Sequence, residues 1–247
     1  MGKVIAALRL IRIHNCIIAA MGVWVGAYLC GDFYTTPNLY FVMLAIALLC
    51  GAGNVLNDLT DIAVDRINHP IRPIPSGKIS LSFAKIIYAL FNLMAIVLAL
   101  LLGQLNVLII VGYILAIFLY NLTLKKLALI GNLIVAIMGA GAFLLGGYAV
   151  CPDRWFIIPG PMLAFIFALL FHFGRELIKD NADIDGDRIE GYKTLPVLIS
   201  QKANLLIIST IYIMLIVLTT SPGSPDMGAY FSLPVKVNQS ASLSLDS

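Results

Sequence analysis

The chain has 247 residues, 60% of them hydrophobic and 12% charged, with a net charge of +3 and a mean hydropathy of +0.96. A soluble domain carries about twice that share of charge, so a water-facing surface is excluded, and with it disorder, collagen-like repeats and disulfide scaffolds. The composition is that of a polytopic membrane protein, and the small net charge gives no reason to expect a nucleic-acid partner.

Crossing the hydrocarbon takes roughly 20 mostly apolar residues. Seven stretches qualify, at about 12–30, 39–57, 82–102, 105–121, 127–149, 158–177 and 203–220. The expected fold class is therefore all-α, a transmembrane helix bundle over 1–220. Lys3, Arg9 and Arg12 precede the first stretch, but no small-residue cleavage site follows it, so it reads as a span and not as a signal peptide. Gly22 and Gly26, and Gly139, Gly141, Gly146 and Gly147, permit close helix contact. Trp24 and Trp155 suit interface anchors. Cys16, Cys30, Cys50 and Cys151 show no metal spacing, and three of them sit in or at the edge of apolar runs, where a thiol reads as a small buried hydrophobe. Residues 221–247, with seven serines and three prolines, read as a disordered tail.

Alternating the seven spans places 14 of the 16 Lys and Arg residues on one side, with only Arg154 and Lys236 elsewhere. That side is expected to be cytoplasmic. The two long linkers, about 58–81 and 178–202, share it and, with Glu176 just ahead of the second, hold nine of the chain's 13 acids.

These linkers repeat one another. Residues 54–67 read NVLNDLTDIAVDRI and residues 176–189 read ELIKDNADIDGDRI. Both contain D-x-x-D-x-x-x-D-R-I, at Asp58, Asp61, Asp65 and Arg66, then at Asp180, Asp183, Asp187 and Arg188, offset by 122 positions. The match points to a duplicated half. On a helix, positions i, i+3 and i+7 share a face, so each motif is expected to present its carboxylates as one stripe. A solvated loop would explain the acidity but not the repeated spacing. Clustered carboxylates require cations. Carboxylates with the amide of Asn57 form a hard oxygen set suited to Mg²⁺ or Ca²⁺, while His69 and His172 lie outside the stripes. Two facing clusters could hold a diphosphate through bridging metal, with Arg12, Arg72, Lys78, Lys125 and Arg175 completing the cradle. At a membrane surface the diphosphate ester should be a lipid such as a polyprenyl diphosphate. Phe171 and Phe173, flanking His172, read first as packing and alternatively as carbocation stabilisers. His14 reads as a hydrogen-bonded helix residue ahead of a general base.

The motifs resemble those of the UbiA superfamily of intramembrane prenyltransferases. Its N-x-x-x-D-x-x-x-D motif matches Asn57, Asp61 and Asp65, and its D-x-x-x-D motif matches Asp183 and Asp187. Residues 66–80 (RINHPIRPIPSGKIS) and 175–196 (RELIKDNADIDGDRIEGYKTLP) are similar to the archaeal-type digeranylgeranylglyceryl phosphate synthases. The family's early Arg and Asn correspond to Arg12 and Asn15. Its Y-x-x-x-K element is approximated by Tyr120 and Lys125, one residue longer.

The resemblance implies Asp61, Asp65, Asp183, Asp187 and Lys125 as catalytic residues, with the four aspartates and Asn57 on Mg²⁺. Arg12, Asn15, Asn57, Arg72, Lys78, Tyr120, Arg175 and Lys193 are then the candidates for binding substrate. It implies transfer of a geranylgeranyl group from geranylgeranyl diphosphate to geranylgeranylglyceryl phosphate, at a cytoplasm-facing site in the cell membrane, with no obligate protein partner. The family fold has nine transmembrane helices, so the domain reads as incomplete at its C-terminal end. Prenylation of an aromatic acceptor is the alternative within the class. Outside it stand an ion or phosphate transporter and an inactive membrane partner.

Overall fold

The structure, a computed structural model, describes residues 2–30, 36–156, 158, 160–189 and 191–220, with the side chain of residue 68 left aside. Glu190 and the expected tail at 221–247 lie outside the described residues. In chain order the helices are α1 (Gly2–Leu10), α2 (Ile13–Tyr28), α3 (Pro37–Thr60), α4 (Ile62–Asn68), α5 (Leu81–Leu102), α6 (Gln104–Leu122), α7 (Ile130–Val150), α8 (Pro161–Ala182), α9 (Ile184–Ile189), α10 (Leu195–Leu198) and α11 (Gln201–Thr220). The expected all-α bundle is what forms.

Six of these helices are long and apolar enough to cross a membrane, and a seventh span arises if α1 and α2, bent by 49°, count as one. The first span thus differs from expectation. Alone, α2 has 16 residues, fewer than a crossing needs. Arg12 breaks the helix by taking a left-handed conformation, φ 51° and ψ 62°, which for a residue with a Cβ costs about 1–2 kcal/mol. Its guanidinium is held by Asp58 (2.9 Å) and Asn54 (3.3 Å). The Asn54 amide in turn donates to the Ile11 carbonyl at 3.0 Å, capturing an acceptor at the break.

Local chemistry starts the spans where expected. The Thr36 hydroxyl accepts from the Leu39 amide ahead of Pro37, and Ser80 does the same for Phe83, both ordinary N-caps. Gly103, at φ 103°, turns α5 directly into α6, a conformation open to glycine.

The core gathers around α3, which packs on α2, α5, α6 and α7. There Val23, Leu39, Leu49, Ala95 and Ala99 are fully or nearly fully buried. The glycines work as packing sites. A Cβ on Gly26 would land on the Phe143 backbone, and one on Gly146 on the Val23 backbone, so α2 and α7 meet backbone to backbone. Further out, α7 packs on α8, and α11 packs on α8.

Two of the four cysteines depart from the expectation of isolated thiols. Cys30, after α2, and Cys151, which ends α7, form a disulfide with Cα atoms 6.3 Å apart. Their spacing of 121 residues hid the pairing, which the contact of α2 with α7 creates. Cys16 and Cys50 are free thiols, Cys16 buried.

Candidate active site

The two aspartate motifs are not continuous helical stripes, contrary to the sequence expectation. Each straddles a hinge between two helices. Asp61 ends α3 at φ −102°, ψ 17°, and Asp183 ends α8 at φ −97°, ψ 6°. Both sit in the sparsely populated bridge region that active-site residues often occupy. Hydrogen bonds repeat too: the Asp65 amide donates to the Asp61 carbonyl at 2.8 Å, and the Asp187 amide to the Asp183 carbonyl at 3.0 Å. The duplicated sequence therefore folds into a duplicated hinge.

Within the first motif, Asp58 is only 3% exposed and pairs with Arg12 (2.9 Å) and Arg72 (3.7 Å). It is a buried support for the two arginines. Asp65, 4% exposed, takes Arg72 on both oxygens at 2.6 Å. Asp61 pairs with the Lys125 ammonium, which also donates to the Thr60 hydroxyl at 3.1 Å. Lys125 reaches it from a 3-10 turn just after α6, so the one-residue-longer spacing from Tyr120 still delivers the lysine.

In the second motif, Asn132 donates to Asp180 at 2.8 Å, and the Thr194 hydroxyl to Asp187 at 2.7 Å. Arg175 pairs with buried Glu176 at 2.5 Å, and Asp185 is exposed. Burial pushes the Asp187 carboxyl above the usual carboxylate range. The Thr194 hydrogen bond lowers it again, and the charges of Asp183 and Asp61 raise it. Asp61 belongs to the other motif, so the two motifs lie within electrostatic reach of each other at one end of the bundle, where the Lys193 amide also bonds the Lys126 carbonyl. Tyr120 is within reach of both, through Glu176, Asp180, Asp61 and Arg175.

Other expected residues are less engaged. Asn57 is half-buried and its carbonyl receives the Asp61 amide. The amide of Asn15 bonds the Arg12 carbonyl at 2.8 Å. Lys193 donates its backbone amide to Lys126 at 3.0 Å, tying the strip before α10 to the turn that carries Lys125. Lys78 lines a separate cavity with Lys3 and Arg9. Sequence reading missed Asn54, Asn132 and Thr194. For Asn54 and Asn132 the available signal was a polar amide inside an apolar span, which in a membrane marks a partnered site; Thr194, in the segment before α10, carried none.

Among the described residues, no three His, Cys, Asp or Glu side chains stand close enough to hold a metal ion together. Carboxylates presented singly and in facing motifs suit a hard ion that completes its shell with water and phosphate oxygens, as Mg²⁺ does. The donor set fits that ion.

Residues 15–236 match the UbiA prenyltransferase family. The chain belongs to that family. It is a multi-pass membrane protein of a class of prenyl-transferring enzymes. This UbiA-family chain is 34% identical over 218 residues to the digeranylgeranylglyceryl phosphate synthase of Sulfurisphaera tokodaii, spanning 88% of this chain and 78% of that protein. A solved digeranylgeranylglyceryl phosphate synthase superposes with a TM-score of 0.70 at 35% identity, covering 88% of this chain and 76% of the other. The fold is also that of a UbiA homolog from Archaeoglobus fulgidus bound to GPP and Mg²⁺, with a TM-score of 0.69 at 19% identity, covering 86% and 76% of the two chains.

Proposed function

We propose that this protein transfers a geranylgeranyl group from geranylgeranyl diphosphate to the free hydroxyl of geranylgeranylglyceryl phosphate, releasing diphosphate and a proton. One observation carries the reading: two hinged aspartate motifs lie within electrostatic reach of each other in a chain 34% identical to a synthase of that name. In this reading Asp61, Asp65, Asp183 and Asp187, with Asn57, would hold Mg²⁺, which when bound would supply Lewis-acid charge to a diphosphate leaving group.

The chain's own residues do the rest. Arg72 and Thr194 fix the carboxylates of Asp65 and Asp187, as outer partners of metal ligands generally do. Lys125, already on Asp61, takes up charge developing on the diphosphate, assisted by Arg175 and Tyr120. Arg12 and Asn15 border the same end of α2 and shape the diphosphate pocket, with Lys193 at its rim. The bond from C1 to the diphosphate oxygen breaks with its electron pair going to diphosphate. The acceptor oxygen bonds C1, and its proton leaves to solvent. Apolar helix walls keep water from the allylic cation meanwhile.

The site faces the cytoplasm in this proposal, supported by the placement of 14 of 16 basic residues on one side. The test is an incubation of purified protein with Mg²⁺, geranylgeranyl diphosphate, and geranylgeranylglyceryl phosphate or a quinone precursor. A product with the mass of the doubly alkylated glycerol phosphate is expected. Prenylation of the quinone precursor in preference, or ion flux in vesicles without diphosphate release, contradicts it.

A further inference from the structure

Five cations near the aspartate motifs are paired with carboxylates: Arg12 with Asp58, Arg72 with Asp58 and Asp65, Lys125 with Asp61, Arg175 and Lys179 with Glu176, while the motif arginines Arg66 and Arg188 point outward and are exposed. An acceptor with a phosphate monoester needs positive charge of its own. Among the described residues, Lys3, Arg9 and Lys78 have no carboxylate partner. All three line one cavity of about 520 Å³, together with Ile5, Ile71 and Pro73, within the usual range for small-molecule sites.

The cavity is built on fixed walls. Lys3 and Arg9 are both on α1, on either side of Ala6, which is 3% exposed. That helix rests on a buried cluster of Ala6, Leu10, Val55, Ile74, Ile79 and Ala84. The opposite wall is a tight turn in which the Gly77 amide donates to the Ile74 carbonyl and the Ile79 amide to the Pro73 carbonyl, each at 3.0 Å. Gly77 sits at φ 72°, open to glycine, and directs Lys78 to the cavity.

Its position links it to both lipid and chemistry. Ile5 and Ile71, which line the cavity, leave large apolar side chains exposed, and Val4 and Leu8 do so elsewhere on α1, as a helix lying in a membrane interface does. Ile71 and Pro73 flank Arg72, which grips Asp65, and Arg9 precedes Arg12, which grips Asp58, by three residues. Residues that line the cavity thus neighbour in the chain the two arginines that hold the first aspartate motif.

We propose that this cavity binds the phosphate monoester of a membrane-embedded glycerol lipid, holding the acceptor while its free hydroxyl points toward the aspartate motifs. The assignment rests on the acceptor class proposed above. A phosphate could equally come from a bulk membrane lipid, and the experiment separates the two.

Full-length protein in nanodiscs of neutral lipid, without donor, is titrated with geranylgeranylglyceryl phosphate and with unphosphorylated geranylgeranylglycerol. In Lys3→Gln/Arg9→Gln/Lys78→Gln, affinity for the phosphorylated lipid should fall at least about tenfold, a lost charge-assisted contact being worth about that much. Affinity for the unphosphorylated lipid should not change, and Arg9→Lys should retain most of the binding. In turnover, the triple variant should raise the acceptor KM and leave the donor KM unaltered. Equal affinity of wild type and triple variant for the phosphorylated lipid overturns the proposal. So does a loss that appears only in discs of anionic lipid, which would assign the cavity to bulk headgroups. Phosphate-dependent binding by a wild type that prenylates some other acceptor would leave the cavity standing and remove the acceptor assignment.

Discussion

Asp58 and Asp61 are three positions apart and have opposite duties. Asp58 is buried under Arg12 and Arg72 and holds the left-handed break at Arg12 closed. Replacing it with Asn removes the charge that pairs two arginines, and we expect a loss of about 2 kcal/mol, below the range for a fully buried pair because both arginines are partly exposed. Thermal unfolding in detergent measures it. Thr194 acts through Asp187. Thr194→Val should weaken Mg²⁺ dependence by about 10- to 100-fold with little change in stability, as loss of an outer partner does. Asp187 itself predicts a pH dependence. Its carboxyl is raised by burial, so it keeps its proton to higher pH than a solvated aspartate. Metal-dependent binding of diphosphate should therefore weaken as pH falls, and at a higher pH than a solvated aspartate would impose. Asp187→Asn should abolish that step in the pH profile; a profile unchanged by the substitution assigns the step elsewhere. The motif aspartates were legible in the sequence because their spacing repeats. Asn54, Asn132 and Thr194 were not, because a polar side chain's partner is chosen by packing: Asn132 meets an aspartate 48 residues away.

At the scale of helices, hydropathy located the spans to within a few residues, since the thickness of the hydrocarbon dictates their length. Three features escaped it. The break at Arg12 depends on Asn54 and Asp58, 42 and 46 residues distant. The hinges at Asp61 and Asp183 carry neither glycine nor proline, so an unbroken helical stripe was the natural expectation. The disulfide joins two span ends only because α2 and α7 touch. That contact is itself testable. A methyl on Gly146 would fall on the Val23 backbone, whereas Gly112 has nothing near it. Gly146→Ala should destabilise the fold by about 1–3 kcal/mol through overpacking, and Gly112→Ala should be neutral or slightly stabilising. Equal unfolding temperatures for the two variants would contradict backbone-to-backbone packing of α2 on α7.

For the molecule as a whole, the aspartate motifs occupy one end of the bundle. The disulfide closes the other: α7 starts beside the Lys125 turn and ends at Cys151, about 30 Å along a 21-residue helix. In the proposed orientation the motif end faces the cytoplasm, as the charge count favours. Ser82→Cys, exposed at the start of α5, should react with a membrane-impermeant maleimide in inverted vesicles and not in right-side-out ones. The central claim is that two motifs, 122 positions apart in sequence, make a single metal-dependent diphosphate site. It is tested most directly by Mg²⁺-dependent binding of a non-reactive prenyl diphosphate analogue to wild type, Asp61→Asn, Asp183→Asn and the double variant. Groups that share one ligand do not contribute independently. Each single substitution should remove most of the binding, and the double should lose little more than either. Two independent, additive losses, or full binding in either single variant, would contradict it.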